Sequence, residues 1–137
     1  MVEISVTYEG DLHTRALHGP SSAGLETDAP KDNEGRGEAF SPTDLLATAL
    51  GSCMLTVMGI VARRHDWDLA GARARVEKHM VAEPVRRIGK LVVEFAMPAV
   101  PEKARPVLER TAHTCPVHQS LHPDVEVEVR FDWSGIS

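Results

Sequence analysis

Residues 45–62 of this chain run for eighteen positions without a charge, with Cys53 near their centre. Ser41 is a good N-cap, Pro42 suits the first helical position, and Asp44 lies in an acidic first turn. The spacing therefore predicts one long helix from about Ser41 to His65. At about 100° per residue, Leu46, Ala49, Leu50, Val57 and Ile60 share the azimuth of Cys53, and Ala47, Leu55, Met58 and Ala62 lie on the other side. A helix that is apolar all round must be covered all round. One sheet covers one face, and the sequence offers just one other helix of any length. Ala47, Gly51, Leu55 and Gly59 recur every four positions, a track of mostly small residues that lets another backbone come close. A second copy of the chain is expected to supply the missing cover. The alternative is that the loop over 19–40 and the second helix suffice. Eighteen uncharged residues also reach the lower limit for crossing a bilayer. Thr48, Gly51, Ser52, Thr56 and Gly59 dilute the apolarity, and no aromatic girdle flanks the stretch, so a buried helix is expected and no membrane.

The remaining segments predict an α+β order in a single domain over 1–137. "EISVTYE" alternates Ile4, Val6 and Tyr8 against polar residues, the period of a half-buried strand, and "LHTRALH" can pair back after the turn at "GD". A short strand near 23–27 precedes a loop rich in Gly, Pro, Asp and Glu. Strands are expected over 71–84 and 88–98, a second helix over 100–113, a helical turn over 115–121 and a last strand over 124–133. Pro106 argues against the second helix unless it falls in the first turn or at a kink.

The net charge is −5 and no run of Lys or Arg exists, which argues against nucleic acid as a partner. Aromatic residues make up 4% of the chain, too few for a base-stacking platform. "MVEISVTYEG" has neither a basic nor an apolar leader region, so a cytoplasmic protein is expected, where structural disulfides are rare. No flavin, haem or nucleotide fingerprint is visible, and no cofactor is expected.

The two cysteines, Cys53 and Cys115, lie 62 positions apart, which excludes a C-x-x-C redox motif. Cys53 can be a small buried hydrophobe. Cys115 precedes Pro116 at the start of a helical turn, where free backbone N–H groups favour a thiolate; the alternative is a cysteine tucked under a turn. "HTCPVHQSLH" places His113, Cys115, His118 and His122 within ten residues. Zinc is conceivable there, but the spacing fits no fixed finger pattern, and proton shuttling or plain surface histidine suits these residues better.

"SPTDLLATALGSCM", followed some sixty residues later by "CPVHQSL", resembles the osmotically inducible protein C / organic hydroperoxide resistance (OsmC/Ohr) family. "YEGDL" and "TDAPKDNEGRGEAFSP" fit as well, so the resemblance covers nearly the whole chain. It implies an α+β fold in which antiparallel sheets of two intertwined chains wrap long central helices, with active sites at the dimer interface. It also implies a thiol peroxidase, with Cys53 as peroxidatic thiolate and Cys115 as resolving thiol. A Cys53–Cys115 disulfide would be reset by a dithiol, a lipoylated protein being one source. Burial alone raises a thiol pKa, so a cation is required near Cys53.

In the family's peroxidases an N-terminal arginine serves, held by a carboxylate at the start of the central helix. Arg15 is the best match, although His13 occupies the place where the basic residue is more readily expected. The carboxylate position is Thr43, with Asp44 next, and Glu38 is a spare candidate to hold Arg15. Asp44 lies nine residues before Cys53, on the opposite side of the helix and about 13.5 Å along it, so it can act only through another residue. These departures point to an OsmC-like sister subgroup. The alternatives are a dimeric module that binds an apolar ligand, with Cys53 in the core, and a stress-related structural protein.

Overall fold

The computed structural model describes residues 1–135. The order is β1 (Ile4–Gly10), β2 (His13–His18), β3 (Gly24–Asp28), a 3-10 turn at Lys31–Asn33, α1 (Pro42–Arg64), β4 (Arg73–Val81), β5 (Arg87–Ala96), α2 (Ala104–Ala112), α3 (Pro116–Ser120) and β6 (Glu126–Asp132). This is the α+β order expected. The chain falls into two compact units, one from Met1 to Leu46 and one from Ala47 onward.

The first unit is an antiparallel sheet in the order β1-β2-β3. Ile4, Val6 and Tyr8 alternate along β1 and share one face, yet they are 62%, 64% and 64% exposed. The opposite face is polar, because the register sets Arg15 across from Thr7 and Glu26, and His13 across from Asp28. After β3 the chain turns tightly back on itself. A Cβ on Gly35 would lie 1.7 Å from the Ala29 carbonyl oxygen, so only glycine fits there. Helix α1 then opens on a capping box. The Asp44 N–H donates to Ser41 Oγ at 3.0 Å, and the Ser41 N–H donates to Asp44 Oδ2 at 2.9 Å.

The second unit sets α1 from Ala47 onward, α2 and Cys115 against β5. Leu50, Met54, Met58 and Ala62 are buried at helical spacing with Leu91, Val93, Phe95, Leu108 and Ala112. Each large apolar side chain so buried contributes about 1.5–3 kcal/mol. The helix is long and apolar enough to cross a membrane by length and composition, with a mean hydropathy of 2.0 over its best window. Its buried stripe instead forms the core of this unit. Gly51 brings it close to β4, since a Cβ there would meet Val76 Cγ2 at 2.8 Å. The same track is open farther along: a Cβ on Gly59 would meet nothing within 4 Å. Ser52, Thr56 and Ile60 are exposed on another side of the helix. Within this unit, one face of α1 is covered and part of the rest is left open.

The sheet order here is β4-β5-β6. One pairing departs from the expected antiparallel pattern, for β6 runs parallel to β5. The reason is connectivity: α2 and α3 carry the chain back before β6 begins, and a crossover of that length permits parallel pairing. The second helix starts at Ala104 rather than near residue 100, and Pro106 becomes its third residue. In the first turn its missing N–H costs no helical hydrogen bond.

Candidate functional site

Helix α1 holds Cys53 half-buried, and the turn after α2 holds Cys115 fully buried; both are free thiols. Despite their separation in sequence, the fold brings the two thiols close enough for Cys53 to act on the Cys115 pKa. Cys115 is the N-cap of α3, with Pro116 at the first helical position, and its Sγ accepts the His118 N–H at 3.2 Å. The expectation of a favoured thiolate at Cys115 is corrected here. Burial pushes its pKa up, the hydrogen bond and charge of Cys53 push the same way, and the N–H groups of His118 and Val117 oppose them without prevailing. Cys115 is therefore held as a protonated thiol.

Beside it, the half-buried His118 has a buried Nδ1 with no hydrogen-bond partner among the described residues. Its ring lies 5.9 Å from that of the exposed His113, centroid to centroid.

The basic residues singled out in the sequence lie on the polar face of the β1-β2-β3 sheet. Arg15, 60% exposed, reaches Glu26 Oε1 from Nη2 at 3.0 Å and Glu9 Oε2 from Nε at 3.4 Å. Glu38 is thus not the residue that holds Arg15. Its backbone N–H donates instead to Asp28 Oδ2 at 3.0 Å. His13 bonds the nearly buried Asp28 through Nδ1 at 2.5 Å and lies 3.1 Å from Glu26 Oε1 through Nε2. Thr43 Oγ1 is 3.2 Å from Ser41 Oγ, so Thr43 and Asp44 both take part in the start of α1.

Glu9, Glu26 and Asp28 escaped the sequence reading. The facing pairs His13 with Asp28 and Arg15 with Glu26 would have exposed two of them once β2 and β3 were set in register. Glu9, His13 and Glu26 bring one ligand atom each within 4.8 Å of one another, a spacing a cation could use. Arg15 already shares both of those carboxylates, so a metal would have to displace a guanidinium.

Hydrogen bonds to Asp28 first and Glu26 second raise the His13 pKa above its ordinary 6.5, and the His13 hydrogen bond lowers Asp28 below 3.8. The His13 contribution to stability is fully present below pH 6.5 and is lost as pH rises through its raised folded value. The Asp28 contribution is present above pH 3.8 and is lost as pH falls through its lowered value. The pair therefore stabilises the fold most between about pH 3.8 and 6.5. Thermal melts across pH 3–9 will show a larger drop on both sides of this window for the wild type than for His13→Gln. Parallel profiles would mean that the pair contributes nothing.

The family model described as OsmC-like protein matches residues 35–130. No curated protein matches the sequence. Among solved structures, a protein of Psychrobacter arcticus 273-4, linked by its name to osmotic stress and detoxification, is 47% identical. Each chain is covered to 96%, with a TM-score of 0.91. The organic hydroperoxide resistance protein OsmC of Legionella pneumophila has the same fold, with a TM-score of 0.78 at 16% identity and 96% of each chain covered. So does the organic hydroperoxide resistance protein OhrB of Bacillus subtilis, with a TM-score of 0.72 at 13% identity, covering 96% of this chain and 98% of that one.

Proposed function

The chain belongs to the OsmC-like protein family, and from that premise we propose that it is a cysteine-based peroxidase that reduces organic hydroperoxides. The observation that carries the reading is the meeting of two free thiols, Cys53 and Cys115, from distant parts of the chain. In this scheme the Cys53 thiolate attacks the outer oxygen of the hydroperoxide, the O–O bond breaks, and the alcohol leaves with a proton. Cys53 is then a sulfenic acid. The Cys115 sulfur displaces its oxygen as water, and a disulfide forms. An external dithiol, such as that of a lipoylated protein, exchanges with the disulfide and restores both thiols. The surroundings are apolar: Met54, Leu50 and Leu108 belong to the cluster against which Cys53 packs. An organic R group gains there by desolvation, which hydrogen peroxide cannot.

Arg15 is the residue assigned to favour the Cys53 thiolate, acting in a cytoplasmic homodimer. The exposed Ile4, Val6 and Tyr8 and the open side of α1 support the dimer, because a second copy gives both apolar surfaces a cover. A second reading, a dimeric module for an apolar ligand with Cys53 as a core residue, draws on the engagement of Arg15 by Glu9 and Glu26. One experiment separates the two. One equivalent of cumene hydroperoxide added to the reduced protein should consume both thiols, and the mass should fall by two hydrogens. Two thiols still titratable after treatment would favour the binding module.

A further inference from the structure

We propose that His118 takes the proton from the Cys115 thiol as that sulfur closes onto Cys53, an assignment that rests on the peroxidase reading above. Cys115 and His118 are the first and last residues of "CPVH", the N-cap and third helical residue of α3. A capping box has this spacing. The N-cap side chain accepts the N–H of the third helical residue, and the side chain of that residue reaches back to the N-cap. The first half is present, since the His118 N–H donates to Cys115 Sγ at 3.2 Å. The return half is not used in the ordinary way. The Cys115 N–H goes to the Ala112 carbonyl at 3.5 Å, while His118 Nδ1 is buried and unpartnered among the described residues.

Helical side chains lean toward the N-terminus of their helix, which for His118 is toward Cys115. A buried ring nitrogen left without a partner is costly to keep. A base that must be ready to accept a proton is a role that accounts for it. Among the described residues, two titratable groups lie close to His118: the Cys115 thiol, which accepts its backbone N–H, and His113, whose exposed ring 5.9 Å away offers a way out to solvent. Cys115 needs such help, because its burial favours the protonated form.

The step balances as follows. His118 accepts the S–H proton, and the Cys115 sulfur forms the S–S bond as the S–O bond of the Cys53 sulfenic acid breaks. The departing hydroxide takes the proton from the imidazolium, so water is released and His118 ends neutral. Cys115 is oxidised and the Cys53 sulfur is reduced.

A test independent of hydroperoxide uses the chromogenic disulfide dithiobis(nitrobenzoate). Cys53 takes one thionitrobenzoate in mixed disulfide as the first chromophore leaves, and attack by Cys115 then releases the second. In His118→Asn the first release should keep its rate. The second should slow about a hundredfold at neutral pH and recover as the pH is raised and Cys115 ionises unaided. A second release as fast as in the wild type overturns the assignment. So does a slowing that rising pH does not repair, since that marks a displaced α3 rather than a lost base. Because no hydroperoxide takes part, the result stands whether or not the protein is a peroxidase.

Discussion

Cys53→Ser will leave the protein unable to consume cumene hydroperoxide above the uncatalysed rate, a loss of about a thousandfold or more. Cys115→Ser will instead consume one equivalent and stop. The difference follows from the order of bond changes. Only the sulfur that attacks the O–O bond is needed for the first event, and only the second sulfur can remove the oxygen it acquires. In Cys115→Ser the sulfenic acid is left with a hydroxyl neighbour that cannot form a disulfide. A sulfenic-acid trap such as dimedone should label Cys53 in that variant and should label the treated wild type weakly. Neither substitution should unfold the protein. Serine at position 53 replaces a half-buried residue, and serine at position 115 is a favourable N-cap that can still accept the His118 N–H. Equal peroxide consumption by both variants and the wild type would end the peroxidase reading.

Val6→Asp will convert the proposed dimer to monomer. Val6 lies mid-strand in β1 between Ile4 and Tyr8, on an apolar face that is nearly two-thirds exposed in the single chain. Full burial of a valine is worth about 1.5–3 kcal/mol, and a two-fold interface loses it twice. A weakening of about 3 kcal/mol or more raises the dissociation constant at least about a hundredfold. Sedimentation at micromolar concentration should find dimer for the wild type and monomer for Val6→Asp. Thr7→Asp is the control, because Thr7 sits on the opposite face, across from Arg15, and should leave assembly unchanged. A wild type that sediments as a monomer would remove the dimer altogether.

What the sequence disclosed follows from which signals are local. The long helix was legible nearly to the residue, because Ser41, Pro42 and Asp44 write its start in consecutive positions. The strands β1 and β6 announced themselves by alternation, and β2 by the turn at "GD" that lets it pair back. The partners of Arg15 and His13 did not, because β3 lies in a segment rich in Gly, Pro, Ser and Asp, and facing pairs are a property of register between strands. The parallel lie of β6 was hidden for the same reason, since direction within a sheet is set by the crossover. The expected start of the second helix near residue 100 is too early, for the helical turns begin at Ala104 and place Pro106 in the first of them. Nothing in composition or spacing paired Cys53 with Cys115. Only the family resemblance suggested it, and the fold is what brings the two thiols near enough to influence each other.

The crossover between β5 and β6 has a consequence for how the proposed peroxidase would be reset. It carries Cys115 on a strap fastened at each end to neighbouring strands, with the thiol fully enclosed. In the proposed cycle an incoming dithiol would therefore begin on Cys53, which is half-buried where Cys115 is enclosed, and the transient covalent adduct would carry Cys53.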